Sequence, residues 1–243
     1  SRLVDRGATV SPNADIVTAT EEGSRTQTYA ETRDRAHQLA HALTEVGIGI
    51  GDRVGTFMWN GSRHLEAYHA TAGMGAVLHT LNVRLSETDL EYIINHASDR
   101  LIIADADALP LLEKLSGRIP TVERVVVATE AGFEDWTTSL PEAVDYEAFI
   151  QGKPTHFEWP EISENAPLGL CYTSGTTGRP KGVEYEHRSQ YLHTIAQCMT
   201  DSMGLSGADA VCGIVPMFHV MGWGIPWSAL MLGCKQVLPH RFM

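Results

Sequence analysis

Tyr172-Thr-Ser-Gly-Thr-Thr-Gly-Arg-Pro-Lys-Gly-Val183 sets four hydroxyls (Thr173, Ser174, Thr176, Thr177), three glycines (Gly175, Gly178, Gly182) and Lys181 behind the apolar run Leu168-Gly-Leu-Cys-Tyr172. The apolar run predicts a short buried strand. Gly and Pro punctuate the residues after Tyr172 too densely for a helix interior or a strand, so a loop between a strand and a helix is expected. Glycines let backbone N–H groups turn toward an anion, hydroxyls add donors and lysine adds a point charge. The composition therefore suits a polyphosphate cradle, the alternative being a Gly/Ser linker. The Walker pattern G-x-x-x-x-G-K-[ST] does not fit: counted from Gly175, the sixth position is Pro180, and Gly182 follows the lysine where Ser or Thr belongs.

Upstream, the chain alternates strands and helices. Residues 1–25 are weakly patterned, with a strand at Asp15-Ile-Val-Thr-Ala-Thr20 and a polar turn at Glu21-Glu-Gly-Ser24. Thr28 and Glu31 form a capping box. Behind it Ala36, Leu39, Ala40, Leu43 and Val46 share a helical face that Gly47 ends. Strands are expected at 53–59, 76–80, 100–104 and 124–128, with helices at 63–73, from Ser86 through His96, and over about 106–116. Such Val/Ile-rich strands are buried on both faces, as in a parallel sheet between helices. The fold class expected is α/β with mostly parallel sheets. Ligands in such sheets bind beyond the carboxyl ends of strands, where the 172–183 loop begins. Residues 131–166 interrupt the pattern. Six acidic residues from Glu130 to Glu147 read there as solvated surface around a helix over 142–150. Beyond the loop, a helix is expected over 186–203, a strand over 209–215, an apolar helix over 227–232 closed by Gly233, and a strand over 235–238. The division expected is 25–130 as a first α/β subdomain, 131–166 as seam loops and 167–243 as a phosphate-loop and pocket segment.

The 243 residues are 43% apolar and 20% charged, with a net charge of −12. That balance is ordinary for a soluble globular protein and speaks against nucleic acid or anionic membranes as partners. The four scattered cysteines (Cys171, Cys198, Cys212, Cys234) read as reduced thiols in a cytoplasmic protein, not as a disulfide or zinc framework. No apolar run reaches transmembrane length.

Pro216-Met-Phe-His-Val-Met-Gly-Trp-Gly224 is the second stretch with chemical content. Its apolar residues follow no helical period and read as a pocket wall, with methionine an adaptable lining residue. For His219 the competing reading is a core histidine.

The 172–183 loop resembles the signature loop of the adenylate-forming superfamily: acyl-CoA synthetases, luciferases and the adenylation domains of peptide synthetases. Asn82-Val-Arg-Leu, Asp89-Leu-Glu-Tyr-Ile-Ile-Asn-His96, Pro216–Trp223 and Gly233-Cys-Lys-Gln-Val extend the likeness over most of the chain. Met-Phe-His-Val-x-x-Trp is similar to the motif of medium- and long-chain fatty acyl-CoA synthetases. The resemblance implies a carboxylate activated by ATP to an acyl-adenylate, then passed to coenzyme A. Thr173, Ser174, Gly175, Thr176, Thr177, Gly178 and Lys181 would hold the ATP phosphates, and Thr173 would also ligate Mg²⁺. His219 would lie beside the acyl-adenylate. Trp223, with Met221 and Gly222, would border the acyl site, the indole acting as a gate. A fatty acid is the expected substrate and a short or sulfur-containing carboxylate such as methylthio-propionate the alternative. A homodimer through this region is also implied.

The sequence lacks the family's aromatic-Gly-x-Thr-Glu and Thr-Gly-Asp motifs and its small C-terminal domain. It is therefore expected to be part of the large N-terminal domain of an acyl-CoA synthetase, inactive alone. A variant-P-loop phosphotransferase and a non-catalytic dimerisation fragment are the competing readings.

Overall fold

A computed structural model describes residues 2–130, 135–173 and 178–243. The order along the chain is α1 (Leu3–Val10), β1 (Asp15–Thr20), β2 (Gly23–Thr28), α2 (Tyr29–Glu45), β3 (Arg53–Phe57), α3 (Ser62–Gly73), β4 (Val77–Thr80), α4 (Glu87–Ala97), β5 (Leu101–Asp105), α5 (Leu109–Glu113), β6 (Arg124–Ala128), β7 (Val144–Asp145), α6 (Tyr146–Ile150), β8 (Pro167–Thr173), β9 (Lys181–Glu186), α7 (His187–Cys198), β10 (Ala210–Cys212), α8 (Ile225–Leu232) and β11 (Lys235–Leu238).

The described strands form two sheets. A seven-stranded sheet runs β7-β6-β5-β3-β4-β8-β9 and a four-stranded sheet runs β10-β11-β1-β2. Pairing is parallel except where β2 joins β1 and β9 joins β8. Every residue of β4 and β5 is buried, because helices cover both faces, as the near-continuous apolar character of these strands requires. Helices α2 and α3 pack on one face with Leu39, Leu43, Val54 and Ala67. On the other, α4 and α5 bring Leu90, Ile94 and Leu112 against Phe57 and Ile102. A third cluster, including Ile16, Tyr29, Tyr68, Met217, Met221, Trp227 and Leu238, lies where the two sheets meet.

The Thr28–Glu31 capping box is present in both directions: the Glu31 N–H donates to Thr28 Oγ1 at 3.2 Å and the Thr28 N–H to Glu31 Oε2 at 2.7 Å. Three elements differ from expectation. Residues 1–25 hold a helix, α1, only eight residues long, and the first half of the edge strand β2, which has no apolar residue to mark a period. Residues 181–186 form a strand, so the phosphate-type loop closes an antiparallel hairpin with β8 and does not open a helix; α7 begins one strand later, at His187. Several elements are also shorter than expected. A 3₁₀ turn at Ala106–Ala108 precedes α5, and α6 starts only at Tyr146, behind its Asp145 cap.

The acidic run is not all solvated. Glu130 receives hydrogen bonds from Arg25 and Arg63, and Glu147 from Arg35 and Arg63. Arg35 also reaches the fully buried Glu66 at 2.8 Å, which accepts from Tyr146 at 2.7 Å. Buried carboxylates persist only with such partners. No described helix is long and apolar enough to cross a membrane.

Candidate functional site

The parallel strands β3, β4, β5 and β8 end along one edge of the large sheet. In register Thr56 pairs Thr80, and Thr80 pairs Cys171, so Thr173 projects beyond that edge. This is where an open parallel sheet offers a crevice. Thr173 stands opposite Lys181 as the last rung of the β8–β9 ladder, and both are exposed. A hydroxyl and an ammonium thus flank the hairpin mouth. Gly178 has φ +123° with open space about its Cα, a backbone that side chains with a Cβ rarely adopt. Ser174, Gly175, Thr176 and Thr177 lie outside the described residues.

Pro216–Gly224 is held against the same edge by groups that the sequence alone did not reveal. Asn60, fully buried, accepts from the Met217 N–H at 2.7 Å and donates to the carbonyls of Gly213 at 2.7 Å and Val215 at 2.9 Å. Its position just ahead of α3 suits a helix start, yet its side chain fastens a segment more than 150 residues away. The Tyr68 hydroxyl donates to the Met217 carbonyl. Phe218 meets Trp59 edge-on at 5.9 Å, and the Arg84 guanidinium covers both rings.

From Val220 to Gly224 every φ is positive: 48°, 52°, 59°, 54° and 75°. A left-handed run costs roughly 1–2 kcal/mol for each residue carrying a Cβ, and three of these five do, so tertiary contacts must hold it. The Trp223 carbonyl accepts from His193 Nε2 at 3.1 Å and from Gln197 Nε2, both on α7. Met221 is buried, its methyl where a Cβ on Gly169 of β8 would lie, 1.8 Å from that position. This contact ties the turn to the strand that carries Thr173. Gly222 is buried as well, while Trp223 is 56% exposed and His219 is exposed.

The thiol of Cys171, buried behind Thr173, is pushed up by burial, against the hydrogen bond with Thr80 at 3.0 Å. It is therefore a packing residue and not a nucleophile. Asp105, at the end of β5, has its carboxyl pushed well above the ordinary range by burial, while the Trp59 N–H donating at 2.7 Å opposes the shift. Among the described residues no group of three or more His, Cys, Asp or Glu side chains could hold a metal. Thr173 can offer one hard oxygen, a fit for a magnesium ion whose other ligands are phosphates and water.

The family profile described as "AMP-binding enzyme" matches residues 4–243. The chain belongs to the AMP-binding enzyme family. Among relatives of this family, it is 42% identical to the 3-methylmercaptopropionyl-CoA ligase of Ruegeria lacuscaerulensis, covering 98% of this chain and 44% of that protein. It is 40% identical to the medium-chain-fatty-acid–CoA ligase of Ectopseudomonas oleovorans, covering 98% and 43%. It is 42% identical to the long-chain-fatty-acid–CoA ligase of Thermus thermophilus, covering 98% and 42%. The chain thus spans less than half the length of these AMP-binding relatives. The crystal structure of the anthranilate CoA ligase AuaEII with anthranoyl-AMP superposes with a TM-score of 0.85 at 25% identity, over 98% of this chain and 44% of that one. The inhibitor-bound N-terminal domain of FACL13 from Mycobacterium tuberculosis shares the fold, with a TM-score of 0.82 at 24% identity over 97% and 55%. The expected α/β class, with mostly parallel sheets between helices and correspondence to an N-terminal domain, agrees with these matches.

Proposed function

We propose that this chain supplies the triphosphate-binding loop and part of the acyl site of an AMP-forming CoA ligase for an aliphatic carboxylate. The observation that carries the reading is the Met221–Gly169 contact, which couples the Pro216–Trp223 turn to the strand bearing Thr173. The rung read as phosphate-binding and the apolar, aromatic turn thereby share strand β8, which supports a reaction between ATP and an acyl carboxylate.

In the first half-reaction a carboxylate oxygen attacks the α-phosphorus and the bond to pyrophosphate breaks. An anion must approach a polyanion, so positioning and charge neutralisation dominate. Lys181 places an ammonium at the phosphates. Thr173 contributes its hydroxyl to them and would hold Mg²⁺, whose chemistry when bound is charge neutralisation. The residues Ser174–Gly178 complete the phosphate contacts. His219 lies beside the acyl-phosphate oxygens. In the second half the coenzyme A sulfur bonds to the acyl carbon as the bond to AMP breaks. Trp223 borders the acyl chain on a turn held in a high-energy conformation, which suits a side chain that must swing. Medium- or long-chain fatty acids are the preferred substrates, a reading the names of two relatives support; a sulfur-containing short carboxylate is the other class, supported by the name of the Ruegeria relative.

The test is binding of magnesium ATP to the 243-residue chain by calorimetry, beside the variants Thr173→Val and Lys181→Ala. Each variant is expected to weaken binding about tenfold, the scale of one lost charge-assisted hydrogen bond. Equal affinity in all three proteins overturns the phosphate assignment. Titrating octanoate, palmitate and 3-methylthiopropionate against Trp223 fluorescence then ranks the acyl classes.

A further inference from the structure

One face of α4 touches both sides of the hairpin mouth. Tyr92 and His96 lie one turn apart, with ring centroids 5.3 Å from each other. The Tyr172 hydroxyl is 2.6 Å from His96 Nδ1, and the two rings meet edge-on at 5.8 Å. Burial, with Asp99 nearby, pushes the Tyr172 phenol up to about 12, so its hydroxyl keeps the proton and shares a hydrogen bond with His96. The other side of the Tyr172 ring rests 5.2 Å from His79, a fully buried imidazole that donates through Nδ1 to Asp99 at 2.8 Å. On the returning side, the Arg179 guanidinium lies 5.1 Å over the Tyr92 ring. A cavity of about 500 Å³ is lined by α4 together with Arg179 and Pro180, with Asp89 and Glu91 on its wall. Their negative charge favours the guanidinium at this place.

Tyr172 immediately precedes Thr173, and Arg179 stands two residues before Lys181, with the buried Pro180 between. Pro fixes its own φ, so the orientation of Arg179 is passed to Lys181 with little slack. The Thr173–Lys181 rung ends a two-stranded projection, and such a rung frays unless something outside the ladder holds it. Two anchors from one rigid helix do so.

We propose that Tyr92 and His96 of α4 are positioning residues that set the spacing of the Thr173 hydroxyl and the Lys181 ammonium, His96 through Tyr172 and Tyr92 through Arg179. The role of that spacing rests on the phosphate-binding function proposed for the loop; the clamp itself does not.

Limited trypsin digestion read by mass spectrometry separates the two. Trypsin does not cut before proline, so Arg179 is silent and Lys181–Gly182 reports the mouth of the hairpin. The clamped chain is expected to be cut slowly there. Tyr92→Leu, His96→Gln and Arg179→Gln are each expected to speed that cut about two- to fivefold relative to the other tryptic sites, the equilibrium factor of one exposed cation–π contact for Tyr92 and Arg179 and of a weak neutral hydrogen bond for His96. Tyr92→Phe, which keeps the ring, should behave as wild type. Arg179→Gln changes only an exposed side chain, so it decides the matter even where Tyr92→Leu impairs folding. Because Tyr92 and Arg179 act through one contact, the double variant should be cut no faster than the faster single variant. Unchanged cleavage in Arg179→Gln and His96→Gln overturns the clamp. Inorganic tripolyphosphate is the second probe: weaker binding by Tyr92→Leu, with wild-type binding by Tyr92→Phe, supports the positioning role. If the wild type does not bind tripolyphosphate, the phosphate-binding function and the purpose given to the spacing both fall, while cleavage still decides whether the clamp exists.

Discussion

Replacing Asn60 with alanine removes three hydrogen bonds at once, and the structure says how their costs divide. The Met217 N–H is buried at a residue only 1% exposed, and after the substitution it has no partner. A buried orphan of this kind costs about 1–3 kcal/mol. The carbonyls of Gly213 and Val215 belong to half-buried residues and can take water, so each loses only about 0.5 kcal/mol, the low end for a neutral hydrogen bond. Asn60→Ala should therefore destabilise the chain by about 3 kcal/mol, a drop of roughly 6–12 °C in Tm for a protein of this size. Thermal melting by circular dichroism gives the global number, and amide exchange gives the local one: protection should fall first at residues 217–219. Asn60→Asp is the companion variant. One carboxyl oxygen still accepts from Met217, but the other faces two carbonyls where an amide had donated. The folded-state pKa of the introduced carboxyl is then raised above its unfolded value. The variant is best folded in acid, where a protonated carboxyl can donate, and loses stability as pH rises through that raised value. A loss below about 1 kcal/mol in Asn60→Ala, or an Asn60→Asp variant that gains stability with rising pH, would show that Asn60 does not carry the 213–217 segment.

The turn and the buried ionisable groups give further outcomes. Gly224→Ala combines a φ of +75° with a Cβ 2.6 Å from His193 Cδ2; it should cost about 2 kcal/mol by denaturant titration and change Trp223 fluorescence. Val220→Gly should stabilise by about 1 kcal/mol in the same titration, since a β-branched residue at φ +48° is strained and Val220 is partly exposed, at 38%. Glu147 is held down at about 2, the arginine hydrogen bonds from Arg35 and Arg63 outweighing the upward push of burial. Its contribution is present above the ordinary glutamate value and lost as pH falls toward 2, so Glu147→Gln should flatten that acid limb of the stability curve. His64 is lowered to about 3 by burial, with the Trp59 carbonyl opposing; its NMR signals should show a neutral ring at pH 5, and stability should fall as pH drops below 6.5, where the unfolded histidine takes a proton.

Much of the sheet was legible because its strands are buried on both sides and its helices are periodic: β5 and β6 are built around the runs Leu101-Ile-Ile103 and Val125-Val-Val127, and Thr28 and Ser86 announce α2 and α4. The polar edge strand β2, Gly23-Ser-Arg-Thr-Gln-Thr28, has no apolar face to betray it, and β9 resembles loop because its Lys, Gly and Glu residues face solvent. At the site, the hydroxyl-rich loop and the Phe-His-Trp stretch were readable from residue types. The left-handed run was not, since Val220 and Trp223 disfavour it and contacts with distant residues, among them His193, Gln197 and Gly169, enforce it. Nor could Asn60 or Arg84 be found, because their roles exist only once distant segments meet. The Tyr92–His96 motif stood in plain view, but its partners lie more than 75 residues on.

The pairing of β1 with β11 also bears on how the protein is made. Ile16 lies beside Gln236 in a parallel ladder, and the Tyr29 hydroxyl donates to the carbonyl of Ala229 at 3.1 Å. At ribosomal rates of about 5–20 residues per second, the β1–β2 hairpin waits roughly 10–40 s for that partner. During this interval β1 presents an unpaired edge and the apolar Ile16 side chain, the kind of surface that templates aggregation. The polar composition of β2, which concealed it among the turns, keeps the hairpin's other flank soluble while the nascent chain is still emerging.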